Sequence, residues 1–224
     1  KRNLFAIDIA NAGTDITQLQ AFKDADVVHL AWINQGMLSL KGIEKILKTG
    51  KPLVWTMHDI WPATAVCHIT LDCRQFETQC KDCRLLPSGI GRNLARRTWK
   101  RKEAIERRSH IIYITCSKWL QGEAKRSALI GQNLIECIPN PIDTSIFCKA
   151  DKAEARRKLG LPADKRLILF ASQRVTNQNK GMGYLVDACR KMVEQHPETL
   201  ANTAVVVLGG HAEDLRENFD LPMF

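Results

Sequence analysis

The apolar residues of this chain come in short runs, and the stretches between them carry helical spacing. Residues 26–32 (DVVHLAW), 52–57 (PLVWTM), 110–116 (HIIYITC) and 134–138 each read as a buried strand. Leu40, Ile43, Ile46 and Leu47 fall on one helical face, and Gly50 ends that helix. A charged helix is expected over 91–108, and Ser117 caps a further helix over 118–129. Beyond a Pro139-Asn140-Pro141 turn the texture changes. Strands are expected at 166–172 and 204–209, with a helix over 183–195 between them. Strand, helix, strand in succession specifies a parallel sheet with crossover connections. The fold class is therefore α/β, in two Rossmann-like parts. The expected division is 1–150 and 151–224, with a cysteine-rich loop at 62–87.

Composition narrows the function classes. With 45% hydrophobic and 25% charged residues among 224, the chain is expected to be globular rather than disordered. No apolar run approaches the ~18 residues of a membrane span. The net charge of +9 predicts an anionic partner: phosphate, nucleic acid or an anionic membrane surface. Residues 92–108 hold eight Lys/Arg and two Glu. That run reads either as a solvated helix face or as a contact for anionic lipid head groups. Leu94, Thr98 and Ile105 are its expected apolar face, with Trp99 off the stripe.

Ligands of doubly wound sheets bind beyond the carboxyl ends of the strands. His58 and Asp59 follow one strand; His58 is a candidate for hydrogen bonding or proton transfer, with Asp59 orienting its ring. His29 and His68 are weaker candidates. Asn140 and Asp143 belong to a rigid turn that also suits a hinge. Arg174 and Lys180 lie between a strand and a helix, beside Gly181 and Gly183. Two cations at a helix N-terminus make an anion site, most naturally for a diphosphate; a solvated basic loop is the alternative. Cys67, Cys73, Cys80 and Cys83 fall within 17 residues. Four thiolates suit a tetrahedral structural zinc, with disulfides or free thiols as alternatives; a catalytic zinc would lack an open position. Cys116, Cys137, Cys148 and Cys189 are expected to be small core residues.

The order ADVVHLAW, PLVWTMHDIWPAT, the cysteine loop, ITCSKWL, IPNPIDTSIF and NKGMGYLVDA resembles glycosyltransferase family 4, over about residues 25–210. Bacterial polysaccharide-type members are the most similar in the HDxW and cysteine-rich stretches. The resemblance implies a GT-B architecture and retaining sugar transfer from a nucleoside-diphosphate sugar, without a catalytic metal. It places His58 near donor sugar and acceptor, and Arg174 and Lys180 on the donor diphosphate. It matches Asn140-Pro141-Ile142-Asp143 to an Asn-Gly-Val-Asp turn. Departures are Ala31, where relatives often carry His, and Thr64-Ala65-Val66-Cys67-His68, where they carry Thr-Gly-Gly-Cys-His. The family's glycine-rich N-terminal loop and paired glutamates are not found, so the chain is expected to be a piece of a longer enzyme and inactive alone. The expected acceptor is a saccharide or a lipid-linked one, in the cytoplasm or at the inner membrane face, with no nucleic acid. The rival readings are a zinc-stabilised nucleic-acid-binding module and a GT-B relative such as a nucleotide-sugar epimerase.

Overall fold

The computed structural model describes residues 6–87 and 91–224. The chain divides into two compact units, Lys1–Ile142 and Asp143–Phe224. In the first, a short helix α1 (Gln20–Asp24) leads into β1 (Val28–Leu30), α2 (Leu40–Lys48) and β2 (Leu53–Met57). The cysteine-rich loop follows, then α3 (Gly91–Glu106), β3 (Ile112–Thr115), α4 (Lys118–Lys125) and β4 (Ile135–Cys137). The four strands form one sheet in the order β1-β2-β3-β4, every pair parallel. Ser39 and Ser117 cap α2 and α4 by accepting from the amides of Gly42 and Leu120.

The strands are not buried on both faces, as their apolar runs suggested. Along β2, Leu53, Trp55 and Met57 are buried while Val54 and Thr56 are only half covered. Trp55 and Tyr113 face α2 and α3 across a small gap lined by Leu40, Ile43, Trp61 and Ile105. The opposite face carries His29, whose Nε2 lies 2.7 Å from Thr56 Oγ1. The core therefore sits under one face, and strand alternation follows from that.

Helix α3 corrects the sequence expectation in register. Its buried stripe is Ala95, Thr98, Trp99, Lys102 and Ile105, an i, i+3, i+4, i+7 pattern. Trp99 lies inside that stripe, and Leu94 only flanks it. Lys102 broke the apolar pattern yet is 4% exposed, because its amine lies over the Trp61 ring and donates to two backbone carbonyls. Arg96, Arg97, Lys100, Arg101, Arg107 and Arg108 remain exposed.

The second unit opens with α5 (Lys152–Lys158), capped by Asp151. β5 (Arg166–Arg174) and β6 (Thr203–Gly210) pair in parallel, with α6 (Met182–Gln195) and the short α7 (Thr199–Asn202) between them. Val175, Met182, Cys189, Val205, Val207, Leu215, Phe219 and Leu221 make its core. Met223 bridges Val205 in parallel, extending the pairing past β6. Between Ala171 and Arg174 the register shifts. Gly209, at φ +145°, would set a Cβ 1.8 Å from the Ser172 carbonyl oxygen, so no side chain fits there. Of the four outlying cysteines, only Cys189 is buried; Cys148 is exposed just past the 144–146 turn, its Sγ 3.8 Å from the Ser145 carbonyl oxygen.

Candidate functional site

The carboxyl ends of β2 and β4 bring His58 and Asn140 together, His58 Nε2 lying 3.2 Å from Asn140 Oδ1. With the amide oxygen accepting, Nε2 carries the proton and Nδ1 is left with a lone pair. Asp59 does not meet the His58 ring among the contacts seen. One carboxylate oxygen accepts from the Trp61 amide at 2.8 Å, fixing the 3-10 turn Trp61–Ala63. The other lies 2.7 Å from His68 Nδ1. His68 is 6% exposed, and its ring sits between those of Trp32 and Trp61, at centroid distances of 6.1 and 6.5 Å. Its Nε2 is buried without a hydrogen-bond partner, as is Asn34 Nδ2.

Sequence reasoning ranked His68 low because a lone His gives no sign of its partner. The usable signal was Asp59 nine residues upstream, at a strand end, where a returning loop can meet it. A cavity of about 270 Å³ lies here, lined by His58, Asp59, His68, Ile69, Leu71, Ser117 and Trp119 among others. A tighter cleft beside Asn34 and Trp32 shares His58 and Asp59 with it.

The loop behind this cavity is anchored by charges inside the fold. Lys102 Nζ donates to the carbonyls of Trp61 at 2.6 Å and Thr64 at 2.9 Å, and lies 3.2 Å from the Trp61 ring centroid. Burial pulls its amine down to about 7, against the negative potential of Cys67 and Cys80. Glu106, pushed up to about 7 by burial, accepts from Tyr113 Oη at 2.8 Å and Asn133 Nδ2 at 3.0 Å. Arg74 ties the far side of the loop to Glu123 of α4 at 3.1 Å.

All four loop cysteines are free thiols. Burial pushes Cys80 up to about 12 and raises Cys67; Cys73 and Cys83 add to the rise at Cys67, and Cys67 and Cys73 to that at Cys80. Four thiol donors in one loop match a zinc ligand set, although burial favours their protonated form and their sulfurs do not all lie within 4.8 Å of one another. Among the described residues, the only metal-type group with its atoms within 4.8 Å of one another is the exposed His211, Glu213 and Asp214.

In the second unit, Arg174 ends β5 and donates through Nε to Thr176 Oγ1 at 3.4 Å. Lys180 ends a 3-10 turn, and Gly181 follows it in the left-handed region at φ +82° to open α6. Among the described residues neither cation forms an ion pair.

The family model described as Glycosyltransferase Family 4 matches residues 2–146. The chain belongs to this family. Among curated relatives, D-inositol 3-phosphate glycosyltransferase of Acidothermus cellulolyticus is 34% identical over 76 residues, 34% of this chain and 16% of that protein. The enzyme of the same name from Thermobispora bispora is 36% identical over 74 residues, 33% of this chain and 17% of its own. The matched stretch thus spans about a sixth of these relatives. Family membership agrees with an α/β chain built on parallel sheets, the Rossmann-like units of the GT-B-like class. Among the described residues no helix is long and apolar enough to cross a membrane.

Proposed function

We propose that this chain serves the transfer of a sugar from a nucleoside-diphosphate sugar to a saccharide or lipid-linked acceptor, with retention of configuration, in the cytoplasm. The observation that carries the reading is the pair of unpaired cations, Arg174 and Lys180, before the α6 N-terminus. The donor diphosphate gains negative charge as the sugar leaves. Fixed cations and the free amides of a helix start stabilise that charge without a metal. Gly181 has no Cβ to hold phosphate oxygens off the backbone. His58, its Nε2 engaged by Asn140, keeps Nδ1 to accept from a sugar hydroxyl. In this reading the first unit takes the acceptor and the second the donor. The test is thermal unfolding with UDP, GDP or ADP. One of them is expected to raise the melting temperature of the second unit, and the R174A/K180A double variant to lose the rise. No rise, or one the variant retains, overturns the reading.

Two finer parts have their own supports. Cys67, Cys73, Cys80 and Cys83 are assigned a structural zinc that draws the four free thiols together and orders a loop with little regular structure. Buried Lys102 holds the start of this loop in place through the carbonyls of Trp61 and Thr64. Protein purified without chelator is expected to hold zinc and to melt lower after chelation; no metal with four titratable thiols ends the assignment. The exposed cations of α3 are assigned to anionic lipid, each worth ~1 kcal/mol near such a surface. Cosedimentation with phosphatidylglycerol vesicles, lost at high salt, is the expected result; no binding at low salt removes it.

A further inference from the structure

We propose that Gln75 is the positioning residue of the turn Cys80–Cys83: it shapes that turn before any metal arrives and thereby sets the metal affinity of the cysteine loop. The inference rests on the structural-zinc assignment and adds to it a residue outside the ligand set.

The Gln75 side chain spends both ends of its amide on one stretch of backbone. Its Oε1 accepts from the amides of Lys81 and Asp82, each at 3.2 Å, and its Nε2 donates to the Asp82 carbonyl at 2.8 Å. Three bonds from one side chain hold the two residues that separate Cys80 from Cys83, and the chain bends at Asp82. Beyond the second cysteine, the Leu86 amide donates to the Cys83 carbonyl at 3.1 Å. Two cysteines two residues apart form one half of many four-thiol zinc sites, since a tight turn points both sulfurs at one ion. Here a side chain makes that turn.

Gln75 can impose a shape because its own backbone is pinned. It opens the 3-10 turn Gln75–Glu77. Phe76 is 1% exposed, and its carbonyl accepts from the Ala128 amide at 3.0 Å. Arg74 and Glu77, on either side, join α4 in a closed ring of ion pairs. Arg74 meets Glu77 at 2.8 Å and Glu123 at 3.1 Å; Arg126 meets Glu77 at 3.1 Å and also Glu123. Exposed pairs taken singly contribute little, but a network closed on the 8%-exposed Glu123 side chain fixes the position of the turn. Cys80 and Cys83 pack against the core of the first unit, and the Ala65 amide donates to the Cys80 sulfur. That bond favours the thiolate a metal needs. A turn already ordered spares the incoming ion part of the entropy cost of ordering it.

The test titrates the metal-free chain with Co²⁺ and then with Zn²⁺ in competition with a chromogenic chelator. Wild type is expected to show thiolate-to-cobalt charge-transfer bands. Gln75→Ala is expected to weaken zinc roughly 10–100-fold, the usual loss when a partner that orients metal ligands is removed, and to change the cobalt spectrum. Gln75→Glu keeps an acceptor for both amides and is expected to recover part of the loss; Gln75→Met keeps only the length and is expected to recover none. The melting temperature of each metal-free variant is expected to stay near that of wild type. Should Gln75→Ala not fold, the comparison of Glu with Met decides. Equal affinities and spectra in wild type and variants, or a Glu variant no tighter than Met, overturn the proposal and leave the zinc assignment standing. So does an affinity loss matched by an equal loss of metal-free stability, which would make Gln75 a residue of the fold alone. Wild type that binds neither ion, or binds cobalt without thiolate bands, overturns the zinc assignment and this proposal with it.

Discussion

The two units prepare their candidate site residues in opposite ways. In the first, the side chains are held before any ligand binds. Asp59 grips a turn and a ring, Lys102 grips two carbonyls, and His68 is packed between indoles. In the second, among the described residues, the Arg174 side chain bonds only Thr176 and the Lys180 side chain makes no hydrogen bond or ion pair. The sheet differs likewise: Leu169 and Leu208 stay 65% exposed on one face of β5–β6, whereas the first unit packs a far larger core. A buried polar site is rigid and depends on the fold around it; an exposed cationic one depends on its ligand.

That contrast can be broken in order of size. Trp61→Ala removes a buried indole, its hydrogen bond to the Asp8 carbonyl and the lid over Lys102. It is expected to cost about 3–5 kcal/mol, seen as a lower melting transition of the first unit only. A matching fall in the second unit would show that the two do not melt independently. Asp59→Ala leaves the Trp61 amide and both His68 nitrogens unpaired, for an expected loss of about 1–3 kcal/mol by denaturant titration.

Glu106 tests the buried charges through pH. Its carboxyl rises from 4.5 to about 7 on folding, so the fold favours the protonated form. Wild-type stability from this group is fullest below pH 4.5 and declines as pH rises towards about 7. Glu106→Gln cannot ionise. Its melting temperature relative to wild type is therefore expected to climb across that window and then level off. A difference independent of pH would mean the carboxyl titrates normally. The smallest stability effect belongs to Arg174→Ala, expected within about 0.5 kcal/mol of wild type, while nucleoside-diphosphate protection drops sharply. A large loss of stability there would place Arg174 in the fold rather than at a ligand.

Much of this architecture was legible in the sequence. Ser39, Ser117 and Gly50 sit at helix ends where local chemistry decides, and the apolar runs located every strand. Position along the strand ends also drew attention to His58, Arg174 and Lys180. What stayed hidden were facts of tertiary burial. Lys102 reads as one more cation of a basic helix until its neighbours Trp61 and Thr64 arrive from 41 and 38 residues away. Trp99 seemed off the stripe because that stripe was drawn through Leu94 rather than Ala95 and Lys102. The Asp59–His68 contact closes over the start of a cysteine-rich loop whose path no periodicity describes.

The double engagement of Asp59 makes a backbone turn and an imidazole one mechanical part. Removing that carboxylate would therefore loosen the strand exit and the segment leading into the thiols together. Amides from 61 to 70 should then exchange with deuterium faster as a group in Asp59→Ala.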